Sequence, residues 1–183
     1  KRIRNLNADE IYDQVVMIND QAKKEYKLPI SNIVYMGMGE PLLNYRNVLE
    51  SVERITSENG LGMSPKRITI STAGIHKKII RLADDGVKFN LALSLHAAND
   101  EKRNKIMPIN ESNSLAGLKD AMIYFSKKTE TRPTLEYIIF KDFNDEISDA
   151  EELVQFVKSF PSKVNIIEYN SIDDGKYQQA DPI

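Results

Sequence analysis

The sequence predicts an α/β protein, an open and partial (β/α) barrel of TIM type with about five parallel strands. Three observations carry that expectation. Helical and strand periodicities alternate along the chain. The strand-like runs are short and mostly apolar, and most are bounded by turn or helix-start residues. Five such runs are too few to close an eight-stranded barrel.

The elements follow in order. Asn7-Ala8-Asp9-Glu10 is an Asn-x-x-Glu cap, in which side chains satisfy the orphan N–H groups of a helix start. Ile11, Val15, Ile18 and Ala22 then recur at helical spacing and form the expected buried face. Pro29 and Ser31 break the pattern, and residues 32–37 read as a buried strand. A helix over 45–58 places Val48, Leu49, Val52 and Ile55 on one side. Gly60, Gly62 and Pro65 lead to a strand over 67–71. A short helix over 76–85 stops at Gly86, and a strand follows over 89–94. Residues 96–112, with Pro108 and several Asn, read as a loop. A helix over 114–128 buries Leu115, Leu118, Met122 and Phe125, and precedes a strand over 134–140. Ser148-x-x-Glu151 reads as a second capping box, opening a helix with Leu153, Val154, Phe156 and Val157. The last strand covers 163–169.

This alternation implies parallel strands joined by right-handed helical crossovers. A doubly wound sheet fits it as well as a barrel does. No linker or low-complexity stretch divides residues 1–183, so they are expected to form a single domain. The chain has no initiator Met, and Gln179-Ala180-Asp181-Pro182-Ile183 carries no stop pattern. Both features suggest a piece of a longer protein, whose missing part covers the edge of the first strand.

Composition narrows the function classes. The 183 residues are 41% hydrophobic and 28% charged, as in ordinary globular domains. A formal net charge of -2 lacks the basic footprint of a whole-chain nucleic-acid binder. Lys1-Arg2-Ile3-Arg4 reads as a solvated terminus. The chain has no Cys, which excludes disulfides, thiolate metal ligands and cysteine nucleophiles within it. No apolar run approaches the roughly 20 residues of a membrane helix, and no signal peptide is evident. The expected location is the cytoplasm, with no membrane partner.

In parallel α/β folds, ligands bind at the carboxyl ends of the strands. That rule selects Gly37-Met38-Gly39-Glu40-Pro41, Ser71-Thr72-Ala73-Gly74, Ser94-Leu95-His96, Glu136 within the fourth strand, and Asn170. Glycines let the backbone approach a ligand closely, and Glu40 could bind an ammonium group. A plain strand-to-helix turn would explain the same string. Ser71 and Thr72 could meet a carboxylate or ribose, or simply cap the next helix. Ser94 and His96 would share a face if their strand continued. His96 could hydrogen-bond a ribose or be a satisfied structural residue. Asn170 could read an adenine edge or a ribose, or begin a turn over 171–175.

The other polar groups read as structural. His76 is expected to be an exposed helix residue. Residues 142–146 read as a solvated loop, since they lack the spacing and glycine of a calcium loop. Arg103 and Lys105 are read as surface ion pairs rather than phosphate contacts. The Met residues are read as core filler.

Four strings together resemble the RlmN/Cfr family of radical S-adenosylmethionine (SAM) enzymes, which methylate an adenine of large-subunit ribosomal RNA. They are Gly37-Met-Gly-Glu-Pro-Leu-Leu-Asn44, Ile70-Ser-Thr-Ala-Gly74, Ser94-Leu-His-Ala-Ala-Asn-Asp100 with Arg103, and Met107-Pro-Ile-Asn110. Arg4-Asn5-Leu6 resembles the stretch just after that family's cluster motif. The resemblance runs in order over nearly the whole chain. It implies SAM binding by Gly39, Glu40, Ser71, Ser94, Leu95, His96 and Asn170. Glu40 would take the methionine ammonium as a charge-assisted hydrogen bond. Ser71 and Ser94 would meet the carboxylate or the ribose, His96 would lie beside the ribose, and Asn170 would fix the nucleoside end.

The resemblance also implies a 4Fe-4S cluster on a C-x-x-x-C-x-x-C motif ahead of Lys1, and two further cysteines after Ile183. One of those carries a methyl group, which a 5′-deoxyadenosyl radical activates for attack on adenine. Clusters of this kind are held by thiolates, and this chain has none. The 183 residues alone are therefore expected to be inactive, with no catalytic residue or metal ligand among them. The implied partners are 23S ribosomal RNA, transfer RNA as a further substrate, and an electron donor such as flavodoxin. The implied reaction is methylation at C2 of the adenine. A Cfr-type C8 enzyme remains open, as does a partial-barrel sugar-phosphate enzyme.

Overall fold

The computed structural model describes residues 3–172 and 175–181. Lys1 and Arg2 of the basic start, Asp173 and Asp174 of the expected turn, and Pro182 and Ile183 at the end lie outside the described residues. Five strands form one sheet in the order β1-β2-β3-β4-β5: Ile33–Tyr35, Ile68–Thr72, Asn90–Ser94, Thr134–Ile139 and Lys163–Glu168. β1 with β2, β3 with β4, and β4 with β5 pair in parallel, with Ile33 opposite Ile68, Leu93 opposite Leu135, and Leu135 opposite Val164. A doubly wound sheet reverses strand order partway across, whereas this one advances in chain order. Of the two folds the alternation allowed, the barrel type is the one observed. Among the described residues, the six α-helices are α1 Ala8–Tyr26, α2 Tyr45–Thr56, α3 His76–Asp84, α4 Asp100–Ile106, α5 Leu115–Thr129 and α6 Ile147–Val157.

The chain divides into two compact units. The first runs up to Thr72 and includes Lys88–Leu91; the second holds Ala73–Val87 and everything from Ala92 onward.

In the first unit, α1 starts as expected. The Asn7 side chain accepts from the Glu10 N–H, and Glu10 reaches back to the Asn7 N–H. Arg4 hydrogen-bonds the same carboxylate and holds Glu10 down to about 2. The buried positions of α1 are Ala8 and Asn19, and Ile18 is exposed. Ile11, Val15 and Ala22 of the expected face are half-buried, and Asn19 takes the inward place expected of Ile18; its Oδ1 accepts the Ile30 N–H at 3.2 Å. β1 is only three residues long, and Val34 on it is 57% exposed. Helix α2 buries Tyr45, Val48, Ser51, Val52 and Ile55. Ser51 Oγ lies 2.8 Å from the Tyr35 hydroxyl, tying α2 to β1. β2 alternates, with Ile68, Ile70 and Thr72 buried. Fully burying an Ile side chain stabilises by about 2 kcal/mol, so Ile55, Ile68 and Ile70 anchor this unit.

In the second unit, α3 packs on α5. Ile79, Leu82 and Ala83 of α3, and Leu118, Ala121, Met122 and Phe125 of α5, are fully buried. The expected loop over 96–112 is instead helix α4, capped by Asn99 on the N–H groups of Glu101 and Lys102, followed by a helical turn over Pro108–Ser112. The expected Ser148/Glu151 box is replaced by one two residues earlier. Glu146 caps α6 and exchanges bonds with Asp149, which is buried and paired with Lys102 at 2.6 Å. The α6 residue Val154 is exposed rather than buried. Of the six Met, Met122 is core, while Met17, Met36 and Met38 are exposed, so core filling describes few of them. Just past β4, Phe140 packs against Tyr169 and Tyr177, which lie beyond β5, at 4.9 and 4.7 Å between ring centroids, and pairs with Gln179 in an antiparallel bridge.

Candidate functional site at the strand ends

The first unit contributes the ends of β1 and β2. After Tyr35 the chain turns on Gly37 at φ +135° and Gly39 at φ +92°. Only glycine adopts such angles without strain. A Cβ at either position would meet nothing within 4 Å, so the backbone lies open to a close approach. Glu40 is half-buried, and its Oε1 accepts the Leu42 N–H at 2.9 Å, capping the helical turn Pro41–Asn44. The carboxylate is thereby oriented by its own chain. Ser71 is half-buried on the face of β2 opposite Ile70 and Thr72. Ser71 and Thr72 belong to the strand and cap no helix. Helix α3 begins only after Ile75, without a side-chain cap.

The second unit contributes the ends of β3, β4 and β5. β3 stops at Ser94, so Ser94 and His96 do not share a face by strand alternation. The chain instead makes a tight turn. The Ala97 N–H donates to the Leu95 carbonyl at 2.7 Å, with His96 between them at φ +55°. A histidine in this region costs about 1–3 kcal/mol and persists only where its surroundings enforce it.

The surroundings do enforce it. The N–H groups of Leu95 and His96 both donate to the Glu136 carbonyl, at 3.0 and 3.1 Å. The His96 carbonyl accepts from Asn144 Nδ2 at 2.7 Å, and His96 Nδ1 accepts from the Ile138 N–H at 3.2 Å. Because Nδ1 is an acceptor, the imidazole proton sits on Nε2. Burial, and then the positive charge of Arg103, hold the His96 pKa down to about 4. The ring is therefore neutral at pH 7, with a fixed Nε2–H donor.

Arg103 itself overturns the surface ion-pair expectation. It is fully buried in the second unit. Its Nε donates to the Leu95 carbonyl at 3.0 Å, and Nη2 donates to the carbonyls of Ala73 and Ser94 at 2.7 and 3.0 Å. Nη1 donates to Asn110 Oδ1 at 2.6 Å, and Asn110 passes hydrogen bonds on to Asp100 and Asn104. Burial lowers the Arg103 pKa to about 10, against the pull of Asp100, and it stays charged at neutral pH. Lys105 does form the expected surface pair, with Glu101 at 2.8 Å.

Two further expectations are corrected here. Residues 142–146 are not wholly solvated, because Asn144 is 2% exposed and also accepts the Phe140 N–H at 2.7 Å. His76 is half-buried, with its Nδ1 enclosed and its N–H bonded to Asn113. Glu136 lies in β4, where its Oε2 accepts from Asn165 at 2.7 Å. Asn170, just past β5, is exposed. An open groove bordered by Leu115, Lys119, Ile147 and Val154 contains none of the strand-end candidates.

The sequence places Arg103 at the surface and gives Asn110 and Asn144 no role of their own. Their signal is weak: an Arg within an Asn-rich stretch, and an Asn flanked by acidic neighbours, look like surface. Among the described residues no cluster of His, Asp and Glu could hold a metal ion.

The fold and these strand ends define a class. The chain matches the family model described as "Radical SAM superfamily" over residues 4–157, and it belongs to that superfamily. It is 59% identical over 180 residues to the "Probable dual-specificity RNA methyltransferase RlmN" of Christiangramia forsetii, covering 98% of this chain and 51% of that protein. A protein of the same name from Cytophaga hutchinsonii is 57% identical over 179 residues, 98% of this chain and 49% of that one. The crystal structure of a radical SAM methyltransferase from Sphaerobacter thermophilus superposes with a TM-score of 0.93 at 35% identity. It covers 97% of this chain and 52% of that one. The chain spans about half the length of the curated relatives it matches.

The two groups of this superfamily fare differently here. SAM carries an ammonium, a carboxylate and ribose hydroxyls. The first unit presents a carboxylate, a serine hydroxyl and an open glycine backbone, and the second a serine hydroxyl and a neutral imidazole donor, groups whose chemistry suits SAM. A 4Fe-4S cluster needs Cys ligands, and this chain has no Cys, so its residues do not fit the cluster. Among the described residues, no helix is long and apolar enough to cross a membrane.

Proposed function

We propose that this chain is the SAM-binding core of an RlmN-type RNA methyltransferase. The longer enzyme would methylate C2 of an adenine in 23S ribosomal RNA and take transfer RNA as a second substrate. The observation that carries this is the match, across 98% of the chain, to proteins named as dual-specificity RNA methyltransferases. A sugar-phosphate enzyme is set aside by the radical SAM family match.

Gly39, Glu40, Ser71, Ser94, Leu95, His96 and Asn170 are the proposed SAM contacts. The first six fall within the residues matched by the family model, and Asn170 lies beyond them. Gly39 gives the ligand access to backbone. Glu40, oriented by the Leu42 N–H, receives the ammonium. Ser71 and Ser94 take the carboxylate or the ribose, Leu95 contributes backbone, and His96 donates Nε2–H to a ribose oxygen. Asn170 holds the nucleoside end. SAM, when bound, supplies the methyl group. The cluster, the methyl-carrying Cys, the radical step and the electron donor belong to the longer enzyme, and no step of theirs is assigned to these residues. We take residues 1–183 as one core domain acting in the cytoplasm.

The test uses the longer, cluster-loaded enzyme. Glu40→Ala should weaken SAM binding about tenfold or more, and unchanged affinity removes Glu40 from the site. Mass analysis of modified 23S RNA should show 2-methyladenine. An 8-methyl product would move the enzyme to the Cfr type, and no methylated adenine at all would end the proposal. The 183-residue chain alone should bind SAM no better than about 1 mM.

A further inference from the structure

The turn over Leu95-His96-Ala97 is held from two sides by side chains to which the proposed site gives no role. On one side Arg103 takes the carbonyls of Ser94 and Leu95. On the other, buried Asn144 spends its whole amide: Oδ1 accepts the Phe140 N–H at 2.7 Å, and Nδ2 donates to the carbonyls of His96 at 2.7 Å and Ile138 at 2.8 Å. The Ile138 carbonyl and N–H are thus both engaged, one by Asn144 and the other by His96 Nδ1. Asn144 therefore fixes at once the His96 carbonyl and the peptide segment whose N–H selects the His96 tautomer.

A loop tie needs only one such bond. Lys27, Glu130 and Asp142 also adopt positive φ, but the first two are the caps that end α1 and α5, where that conformation is routine, and Asp142 is an exposed turn aspartate, a residue type that readily takes it. His96 ends no helix, and its conformation persists because the clamp over-determines it. We propose that Asn144 is a positioning residue of the SAM site: with Arg103 it clamps the strained 95–97 turn so that His96 presents one fixed donor, Nε2–H, to the ligand. This rests on the proposed role of His96 as a SAM contact.

The chain has only two His, so selective ¹⁵N labelling of histidine gives two imidazoles, and His96→Gln assigns them. In the unmodified 183-residue chain, His96 should show the Nε2–H tautomer and a scalar coupling between the Ile138 amide nitrogen and Nδ1. An Nδ1–H tautomer, or no coupling, overturns the clamp and needs no variant. Asn144→Asp keeps the size and the acceptor for Phe140 but loses both donated bonds. His96 should then average two tautomers, and SAM affinity of the longer, cluster-loaded enzyme should fall about tenfold. A folded Asn144→Asp with an unchanged His96 tautomer overturns the proposal. So does unchanged SAM affinity in Asn144→Asp when His96→Gln weakens binding. Unchanged affinity in His96→Gln itself would instead remove His96 from the SAM site, while the tautomer measurement still judges the clamp.

Discussion

The ends of β1 and β3 solve one problem by opposite means. Each must turn the chain sharply off a strand and leave polar groups where a ligand could reach them. After β1 the turn is made by Gly37 and Gly39, whose positive φ angles come without steric penalty and whose surroundings are empty to 4 Å. After β3 the turn is made by a histidine at φ +55°, with a buried guanidinium and a buried amide bonded to its carbonyls. The first is permissive, because residue type alone allows the shape. The second is imposed, because only tertiary contacts maintain it. Permissive turns tolerate loss of neighbours and imposed ones do not, so variants around the two ends should diverge.

The largest effect is expected at Arg103. Arg103→Met removes the hydrogen bonds that the guanidinium donates to the carbonyls of Ala73, Ser94 and Leu95 and to the Asn110 amide oxygen. Urea denaturation should show a loss of about 3–5 kcal/mol. Arg103→Lys restores charge but not the fork of donors, and should recover only part of it. A loss below about 1 kcal/mol for Arg103→Met would mean that the β3 turn is as permissive as the β1 turn.

Glycine substitutions test the contrast directly. Gly74 sits at φ +104°, and a Cβ there would meet Leu118 Cδ2 at 2.8 Å and Leu93 Cδ1 at 3.1 Å. Gly74→Ala should cost about 2–4 kcal/mol, from strain and overpacking together. Gly37→Ala meets no neighbour and should cost about 1–2 kcal/mol, from backbone strain alone. Equal losses at the two sites would show that packing adds nothing at Gly74.

The pH dependence isolates His96. Its folded pKa, about 4, lies below the ordinary histidine value, so folding favours the neutral ring. The unfolded chain binds the proton more readily. The stability this contributes is fully present above about pH 6.5, declines as the pH falls, and is gone below about pH 4, a change of about 3 kcal/mol. His96→Gln should flatten the stability profile across that window. An unchanged slope would place the acid sensitivity elsewhere.

The sequence disclosed the permissive features and hid the imposed ones. The strand and helix order was legible because hydrophobic period is a local property, and the Gly37/Gly39 turn because glycine announces its backbone freedom. The inward place of Asn19, the helix Asp100–Ile106 and the Glu146/Asp149 cap were not. Each has a further partner outside its own helix: Ile30 for Asn19, Glu152 for Asn99, Lys102 for Asp149. The same holds for the site. Gly39, Glu40, Ser71, Ser94 and His96 are proposed from their place at strand ends and from the family's strings. Arg103 and Asn144 were passed over, because nothing in their neighbours' identity tells a buried guanidinium or amide from an exposed one.

The smallest effect tests the feature that was wholly legible. The Asn7/Glu10 box at the start of α1 is complete, with Asn7 Oδ1 accepting from the Glu10 N–H at 2.8 Å and the Asn7 N–H donating to Glu10 at 2.9 Å. Both residues are exposed or nearly so, and Arg4 adds a solvent-screened contact to the same carboxylate. Asn7→Ala should cost about 1 kcal/mol, the usual value of a cap, and Asn7→Gly only a few tenths. Arg4→Ala should raise the Glu10 pKa from its lowered value without a measurable change in melting temperature, since an exposed pair is screened by water. A cap that cost several kcal/mol would mean that the Asn7 turn, like the His96 turn, is held by contacts beyond its own residues.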